Sequence, residues 1–368
     1  LSEEAGTRLR LARLARGRSQ RDLASAAGVT RQAVAAIEAG TSEPSLRVAL
    51  ALAQALGTSV EALFGSRAEE PPLGVDTADD APLRPGDRVA LAGTSAPVAL
   101  ALVGEAALSP GFKAADATCV ASNPPLVRRL GTSRRRAVVV AGCDPALALV
   151  EHALWPADPE VAFRWWPAAT DEALRLLAAG VVDAAGVHHD RADPHALPEA
   201  IRRAGLSADA VEVLGFSAWQ EGLLLRPDLA ARVRSPADLA GRRLVNRDRG
   251  SEARRLLERS LLSAGLDPGE LEGFETEVRS HLLVSAALAA GLGEVGIGAE
   301  PAARAFSLGF VPLAEEHFDL VVRSPSNARG EVAGFVELLG SGWLADQLQA
   351  LSGYGAARLG EAVELAPR

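Results

Sequence analysis

Ser19-Gln20-Arg21-Asp22-Leu23-Ala24-Ser25-Ala26-Ala27-Gly28-Val29-Thr30-Arg31-Gln32-Ala33-Val34-Ala35-Ala36-Ile37-Glu38-Ala39-Gly40 decides the first part of the fold. It reads as two short helices joined at a glycine. Ser19 and Thr30 each stand just before a helical run, where a side-chain oxygen accepts from the free backbone N–H groups of the first turn. Gly28 permits the left-handed backbone that turns the chain between them. Val29 plugs the turn. Val34 and Ile37 lie three apart and share an inward face, leaving Arg31 and Gln32 on the first turn of the second helix. Working outward, Gly6 to Ala15 is a preceding helix and Gly40 ends the quoted stretch. Ser45 caps a fourth helix that is expected to turn Leu46, Ala49, Leu50 and Leu52 to the core. Val60, Leu63 and Phe64 belong to a short fifth.

The string Gln20-x-x-Leu23-Ala24-x-x-Ala27-Gly28-Val29-Thr30-x-x-x-Val34-x-x-Ile37-Glu38-x-Gly40-x-x-x-Pro44-Ser45 resembles the helix-turn-helix of phage-repressor-like regulators of the Cro/C1 (XRE) type. The resemblance implies that Gln20 approaches a phosphate or base. It implies that Thr30, Arg31, Gln32 and Ala35 face the DNA groove, with Arg suited to guanine and Gln to adenine. Arg47 joins the expected DNA-binding set. Glu38 is open to pairing with Arg31 or Arg47, or to facing water. The pattern alone also allows a helical bundle that docks to protein.

Charge supports a division of labour. The whole chain carries a formal net charge of -9. Residues 1–65 hold eight Arg against six acidic residues, net +2, so the remainder is -11. A mildly basic head on an acidic body suits a small DNA reader attached to a domain of another purpose. Cys119 and Cys143 are the only cysteines, which excludes a zinc-finger set and a disulfide framework. No uninterrupted apolar run reaches about 18 residues, and the chain opens with acidic residues followed by Arg-rich helix, so neither a membrane span nor a secretion signal is expected. The cytoplasm is the expected location.

Three domains are expected: residues 1–66, 67–132 and 133–368. Residues 67–86, rich in Pro, Gly and acidic residues, read as a mobile linker. Arg88 to Ala92 and Pro97 to Leu102 are strand candidates in a small strand-rich unit. The basic run Arg128, Arg129, Arg134, Arg135 and Arg136 reads as a solvated linker in preference to phosphate contacts. Ala137-Val138-Val139-Val140-Ala141-Gly142 is a continuous apolar run of the kind that forms a buried parallel strand, and Asp144-Pro145 leads from it into a helix. Strands at Phe163–Trp166, Val182–His188, Val211–Phe216 and Gln220–Leu225 follow, with helices between. A second α/β unit starts near Pro236. There Leu244–Asn246 is a strand, and Gly250-Ser251 opens a helix whose N-terminus suits an anion or polar head. His281 to Ala290 is a helix, Val295–Gly298, Phe310–Leu313 and Phe318–Val322 are strands, and Glu331 to Gln349 is largely helical.

Gly142-Cys143-Asp144, Ala185-Gly186-Val187-His188, Asn246-Arg247-x-x-Gly250-Ser251-x-x-Arg254 and Gly291-x-x-x-Val295-Gly296-Ile297-Gly298 resemble the type II periplasmic binding-protein fold. More closely they resemble the molybdate-binding-protein-like ligand domain fused behind a helix-turn-helix. The ending Phe310-Val311-Pro312-Leu313-x-x-Glu315-x-x-x-Asp319-Leu320 carries the likeness on. The resemblance implies two lobes, about 134–222 plus 320–368 and about 226–316, hinged near 223–226 and 316–320 around a ligand cleft. It implies a ligand-binding set of Cys143, Asp144, His188, Asn246, Arg247, Gly250, Ser251 and Arg254, open to an oxyanion such as molybdate or to an organic effector. Arg247 and Arg254 would balance an acidic ligand, whereas Asp144 would repel one.

No catalytic residue, metal ligand or cofactor is expected, beyond a small-molecule or oxyanion effector. Cys143 with His188 suggests a nucleophile and base only if they touch. His188-His189-Asp190 with Asp193 and His195 resembles a metal cluster by composition but lacks regular ligand spacing. Gly291-x-Gly293-x-x-Gly296 follows a helix and precedes a strand, the wrong order for a dinucleotide fingerprint. The expected protein is therefore multidomain, with an all-α head, a small strand-rich linker unit and a two-lobed α/β domain. Its expected work is ligand-responsive binding of a DNA operator as a homodimer. A small-molecule binding protein whose head docks to protein, or an enzyme with a regulatory head, are the alternatives.

Overall fold

The computed structural model describes residues 3–65, 71–78, 82–102, 108–109, 111–130, 136–151, 161–190, 193–323 and 330–365. The chain divides into two compact units, Leu1–Pro71 and Pro72–Arg368.

The first unit is five helices: Glu3–Ala15, Gln20–Ala27, Arg31–Glu38, Leu46–Leu56 and Val60–Phe64. Ser19, Thr30, Ser45 and Ser59 all cap as their side chains allow, accepting from the backbone N–H three residues on. Gly28 adopts φ 65° and ψ 31°, and its N–H closes the preceding helix. Leu9, Leu23, Val34, Ile37, Leu52, Leu56 and Leu63 fill the core, each contributing roughly 1.5–3 kcal/mol of burial. Two core expectations fail. Leu46 and Leu50 are 73% and 54% exposed, one turn apart on the same outer face. Ala49 and Leu52 alone take the inner stripe, with Ala53 and Leu56 continuing it.

The second unit begins with the strand-rich region. Its six-stranded sheet runs Leu73–Gly74, Pro125–Arg129, Ala117–Ser122, Arg88–Ala92, Val98–Ala101, Asp76–Thr77. Part of the expected mobile linker, Leu73–Gly74 and Asp76–Thr77, is thus sheet, and so is part of the basic run, with Arg128 and Arg129 exposed on a strand. Arg134 and Arg135 lie outside the described residues. One face of this sheet joins the core of the next region: Ala90, Val98, Leu100 and Leu102 pack with Val139, Leu176 and Val181. Backbone bonds from Gly93 to Val181 and from Thr94 to Gly180, at 3.0 and 2.9 Å, fasten the two.

The rest is a two-lobed α/β body of the type II periplasmic-binding-protein kind, built on one eight-stranded sheet. Its strand order is Val161–Pro167, Arg136–Gly142, Ala184–Asp190, Gly309–Arg323, Val211–Leu225, Val295–Ala299, Leu244–Arg247, Glu277–Val278. The pairs expected as separate strands at 211–216 and 220–225, and at 310–313 and 318–322, are each one strand of 15 residues. The two run antiparallel from Val211 opposite Arg323 to Leu225 opposite Gly309, with irregularities between Gly215 and Ser217 and between Glu221 and Gly222. A bulge lets a ladder continue while it re-aims side chains. Leu214, Phe216, Trp219, Phe318 and Leu320 belong to one lobe's core, and Leu223, Leu225, Val311 and Leu313 to the other's. The chain therefore crosses between lobes around Glu221–Gly222 and Leu313–Phe318. Gly222 is required there, because a Cβ would stand 2.1 Å from the Val311 carbonyl oxygen. The expected long C-terminal helix is two, Gly330–Leu339 and Gly342–Ala350, with Ser341 capping the second. Both pack on the first lobe through Val332, Phe335, Leu339, Leu344 and Leu348. No helix among the described residues is long and apolar enough to cross a membrane.

Candidate functional site

In the head, Thr30 spends its hydroxyl on the Ala33 N–H at 3.1 Å. Arg31, Gln32 and Arg47 are exposed and Ala35 half-buried. Thr30, Arg31, Gln32 and Ala35 thus lie at the cap and first turns of Arg31–Glu38, and Arg47 on the first turn of Leu46–Leu56. Gln20 is placed differently. Its amide donates to Glu38 Oε2 at 2.9 Å. Glu38 also accepts from Arg13 Nε at 2.6 Å and Nη2 at 3.0 Å. The two ion-pair side chains are only 8% and 4% exposed. Glu38 thus binds Arg13 and Gln20, and among the described residues its ion-pair partner is Arg13, in place of the expected Arg31 or Arg47. Burial works against its charge, but the bonds from Arg13 and Gln20 outweigh burial and leave its carboxyl below the ordinary value.

The body gathers charge where its lobes meet. His188, near the end of Ala184–Asp190, comes from the first lobe. Arg247, ending Leu244–Arg247, and His281, opening His281–Ala289, come from the second. Glu221 and Glu316 lie on the two crossing strands. All five are at most 4% exposed. His188 Nε2 stands 3.3 Å from Glu316 Oε2 and 3.9 Å from Glu221 Oε2. His281 Nδ1 accepts from the Ala299 N–H at 3.2 Å and lies 3.6 Å from Glu221 Oε1. Trp219 donates from its indole to Glu221 Oε2 at 2.8 Å, and its ring lies 5.1 Å from that of His188 and 5.8 Å from that of His281. Arg247 Nη2 donates to the Arg279 carbonyl at 3.1 Å.

The group is not self-sufficient. Among the described residues, His188 Nε2, His281 Nε2, Glu221 Oε1, both Glu316 oxygens, Arg247 Nε and Nη1, and Ser285 Oγ are buried without a hydrogen-bond partner. Each such atom costs about 1–3 kcal/mol if nothing meets it. Their concentration in one place marks a site shaped for something else. The electrostatics agree. Burial opposes charge on His188, yet Glu316, a hydrogen bond with Cys143 and Glu221 hold its pKa well above the usual value. Burial pushes Glu221 up to about 7 against the pull of His188 and Trp219. Burial, then Arg247 and His188, drive His281 well below its usual value.

Of the residues expected to bind ligand, Cys143, His188 and Arg247 come together here. Asn246 lies beside them in sequence but is internally committed, donating to the Phe274 carbonyl at 3.1 Å and accepting from the Arg247 N–H at 2.9 Å. Asp144 is fully buried as a structural tie. It accepts from Ser217 Oγ at 2.6 Å, Tyr354 Oη at 2.7 Å and the Ala146 N–H at 2.8 Å. Gly250, Ser251 and Arg254 line a separate, open depression with Glu258 and Glu275. Ser251 caps its helix, and Arg254 is held by Glu258, Glu275 and Glu277. His188 and His189 split as alternation along a strand dictates. His189 turns away from the interlobe group, to Asp319 at 2.8 Å and His317. Between the lobes, Arg255 of Glu252–Ser263 pairs with Asp171 of Thr170–Ala178.

Glu221, Trp219, His281 and Glu316 were not singled out in the sequence. A signal existed for Glu221: a carboxylate directly before Gly222-Leu223-Leu224-Leu225 sits in a run that otherwise reads as buried strand.

The chain belongs to the family described as PBP superfamily domain, matched over residues 152–340, more than half its length, and it carries a helix-turn-helix domain over residues 9–63. Its relatives include the uncharacterized protein YvgK of Bacillus subtilis (strain 168), 31% identical over 122 residues, 33% of this chain and 35% of that protein. The chain thus matches about a third of that relative's length. Another is an uncharacterized protein from the 5' region of a 2Fe-2S ferredoxin gene of Clostridium pasteurianum, 27% identical over 109 residues, 29% of this chain and 96% of that one. Among solved structures, similarity extends to the restriction-modification controller protein C.AhdI of Aeromonas hydrophila, with 42% identity, 16% of this chain, 91% of that one and a TM-score of 0.16. It extends also to a phosphate transporter substrate-binding protein of Clostridium perfringens, with 12% identity, 63% of this chain, 100% of that one and a TM-score of 0.43.

Proposed function

We propose that this protein is a transcriptional regulator. Its head reads DNA through Thr30, Arg31, Gln32 and Ala35, with Arg47 on the backbone. Its body binds a small effector between the lobes. The observation that carries the reading is the interlobe group, where both lobes contribute buried polar atoms that lack partners. An occupant satisfies them only with the lobes together, so occupancy and closure are linked. The Asp171–Arg255 pair adds a contact available only in the closed form. The strand-rich unit shares a core with the first lobe and moves with it. A single eight-residue recognition helix reads few base pairs, so two copies on a palindrome fit the reading. The exposed Leu46 and Leu50 pair lies on the head as apolar surface for such pairing. Glu221 and Glu316 at the site weigh against molybdate or another bare oxyanion and favour an effector with cationic or donor character. A DNA-reading role is consistent with a cytoplasmic protein.

Footprinting on DNA upstream of its own gene tests the reading. Protection by the full chain, lost in an Arg31→Ala/Gln32→Ala variant that still folds, is the expected result. Equal protection by both would remove the head's assigned role.

A further inference from the structure

The interlobe group contains a donor set that a generic polar effector does not require. Cys143 Sγ and one ring nitrogen each of His188 and His281 lie within 4.8 Å of one another, with all three side chains buried. The cysteine stands directly after Arg136–Gly142, His188 on the neighbouring strand, and His281 at the first position of a helix in the opposite lobe. Thiolate and imidazole together suit zinc and its first-row neighbours, and four-coordinate sites often add a carboxylate. The second observation is that, among the described residues, His281 Nε2 and Glu316 Oε1 are buried without a hydrogen-bond partner, while His188 Nε2 faces the carboxylates of Glu316 and Glu221. Glu316 Oε2 is 3.3 Å from His188 Nε2, close to where a shared ion would bring them.

We propose that Cys143, His188 and His281 bind a transition-metal dication of the zinc type, with the fourth position open to water or to the carboxylate of Glu316, which stands beside His188. The inference rests on the effector-site reading and names the class of effector. Glu221 takes the outer position. Coordination through His281 Nε2 puts the ring proton on Nδ1, which faces Glu221 Oε1 at 3.6 Å, the arrangement in which a carboxylate orients a metal-bound imidazole. In that state the ring gives up the bond it accepts from Ala299. The metal–sulfur bond forms as the thiol proton leaves to solvent, and both imidazoles bind unprotonated, so uptake releases protons. Among the described residues Arg247 is the arginine that acts on this group, and the carboxyls of Glu221 and Glu316 lie on it too. Because His281 and Cys143 belong to opposite lobes, one ion ties the lobes together.

Cobalt(II) titration of the chelator-treated full chain tests this. One equivalent is expected to give a near-ultraviolet thiolate-to-cobalt charge-transfer band, and zinc is expected to displace it. Cys119→Ser leaves only Cys143 and is expected to keep the band. Cys143→Ser is expected to abolish it, and His281→Gln to weaken uptake about tenfold or more. The trio His189, His317 and Asp319 has no sulfur and gives no such band. Absence of the band in the wild-type chain, its loss in Cys119→Ser, or its survival in folded Cys143→Ser overturns the assignment. Binding of the same samples to a duplex selected from a random-sequence pool separates the claims. Sequence-specific binding without metal uptake overturns the metal site alone, whereas no specific binding overturns the regulator reading.

Discussion

Glu38→Ala should strongly destabilise the head, because the Glu38 carboxylate ties Arg13 and Gln20 together. Its carboxylate accepts from Arg13 twice, at 2.6 and 3.0 Å, and from Gln20 at 2.9 Å. Alanine leaves Arg13, 7% exposed, with one remaining bond of this set, to the Arg18 carbonyl at 2.8 Å. Removing one partner of a buried pair costs about 3–5 kcal/mol, and the surviving bond places this case near the lower end. A domain of this size has about 3–9 kcal/mol in all, so a loss of about 3 kcal/mol removes between about a third and all of the head's stability. All five tryptophans lie beyond residue 150. Urea unfolding followed by tryptophan fluorescence therefore reports the body, while far-ultraviolet circular dichroism reports both units. With a slope near 1 kcal/mol/M, the head transition should move down by about 3 M while the fluorescence transition stays in place. Arg13→Met combined with Glu38→Leu should recover part of the loss, since no buried charge is then orphaned. A head transition within about 0.5 kcal/mol of wild type in Glu38→Ala would refute the reasoning.

Acid should act on the same pair. A carboxyl held below its ordinary value of 4.5 contributes stability that is fully present above that value and is lost as pH falls through the folded value. The head's circular-dichroism midpoint should therefore drop below about pH 4.5 and should do so far less in Glu38→Gln. Tyr354→Phe removes one of three bonds to buried Asp144 and should lower the body's stability by about 1–3 kcal/mol, read by tryptophan fluorescence in urea. Gly222→Ala drives a Cβ against a backbone oxygen at the lobe crossing. It should cost at least about 1–3 kcal/mol by the same measurement, more than Gly334→Ala, where an added Cβ meets nothing within 4 Å.

The head was readable because its signals are local. Caps at Ser19, Thr30 and Ser45 and the turn at Gly28 act within four residues, and all four form as expected. What failed there was the helix Leu46–Leu56, where a leucine at a helical position does not say which face the neighbours cover. In the body, apolar runs identified strands, but a bulged strand looks like two, as at Gly215–Ser217. The site was harder. Its members are separated by up to 173 positions, from Cys143 to Glu316, and nothing local brings them together. Ser251 and Arg254 carried the stronger local signal, a helix N-terminus, yet their groups are satisfied within their own lobe. Single charges embedded in apolar strands were the better guide.

The central claim is that the state of the interlobe cleft governs the head, and the Asp171–Arg255 pair tests it with residues that belong to neither site. Its partners are 46% and 35% exposed, so breaking it is worth no more than about 1 kcal/mol, or about fivefold in the closed-to-open ratio. Operator affinity should be measured by fluorescence anisotropy for wild type, Asp171→Asn, Arg255→Gln and the double variant. Both single variants should shift affinity in the same direction by about two- to fivefold, and the double variant should shift it no further than the larger single shift. Four equal affinities, in chains that fold and bind the operator, would contradict the account.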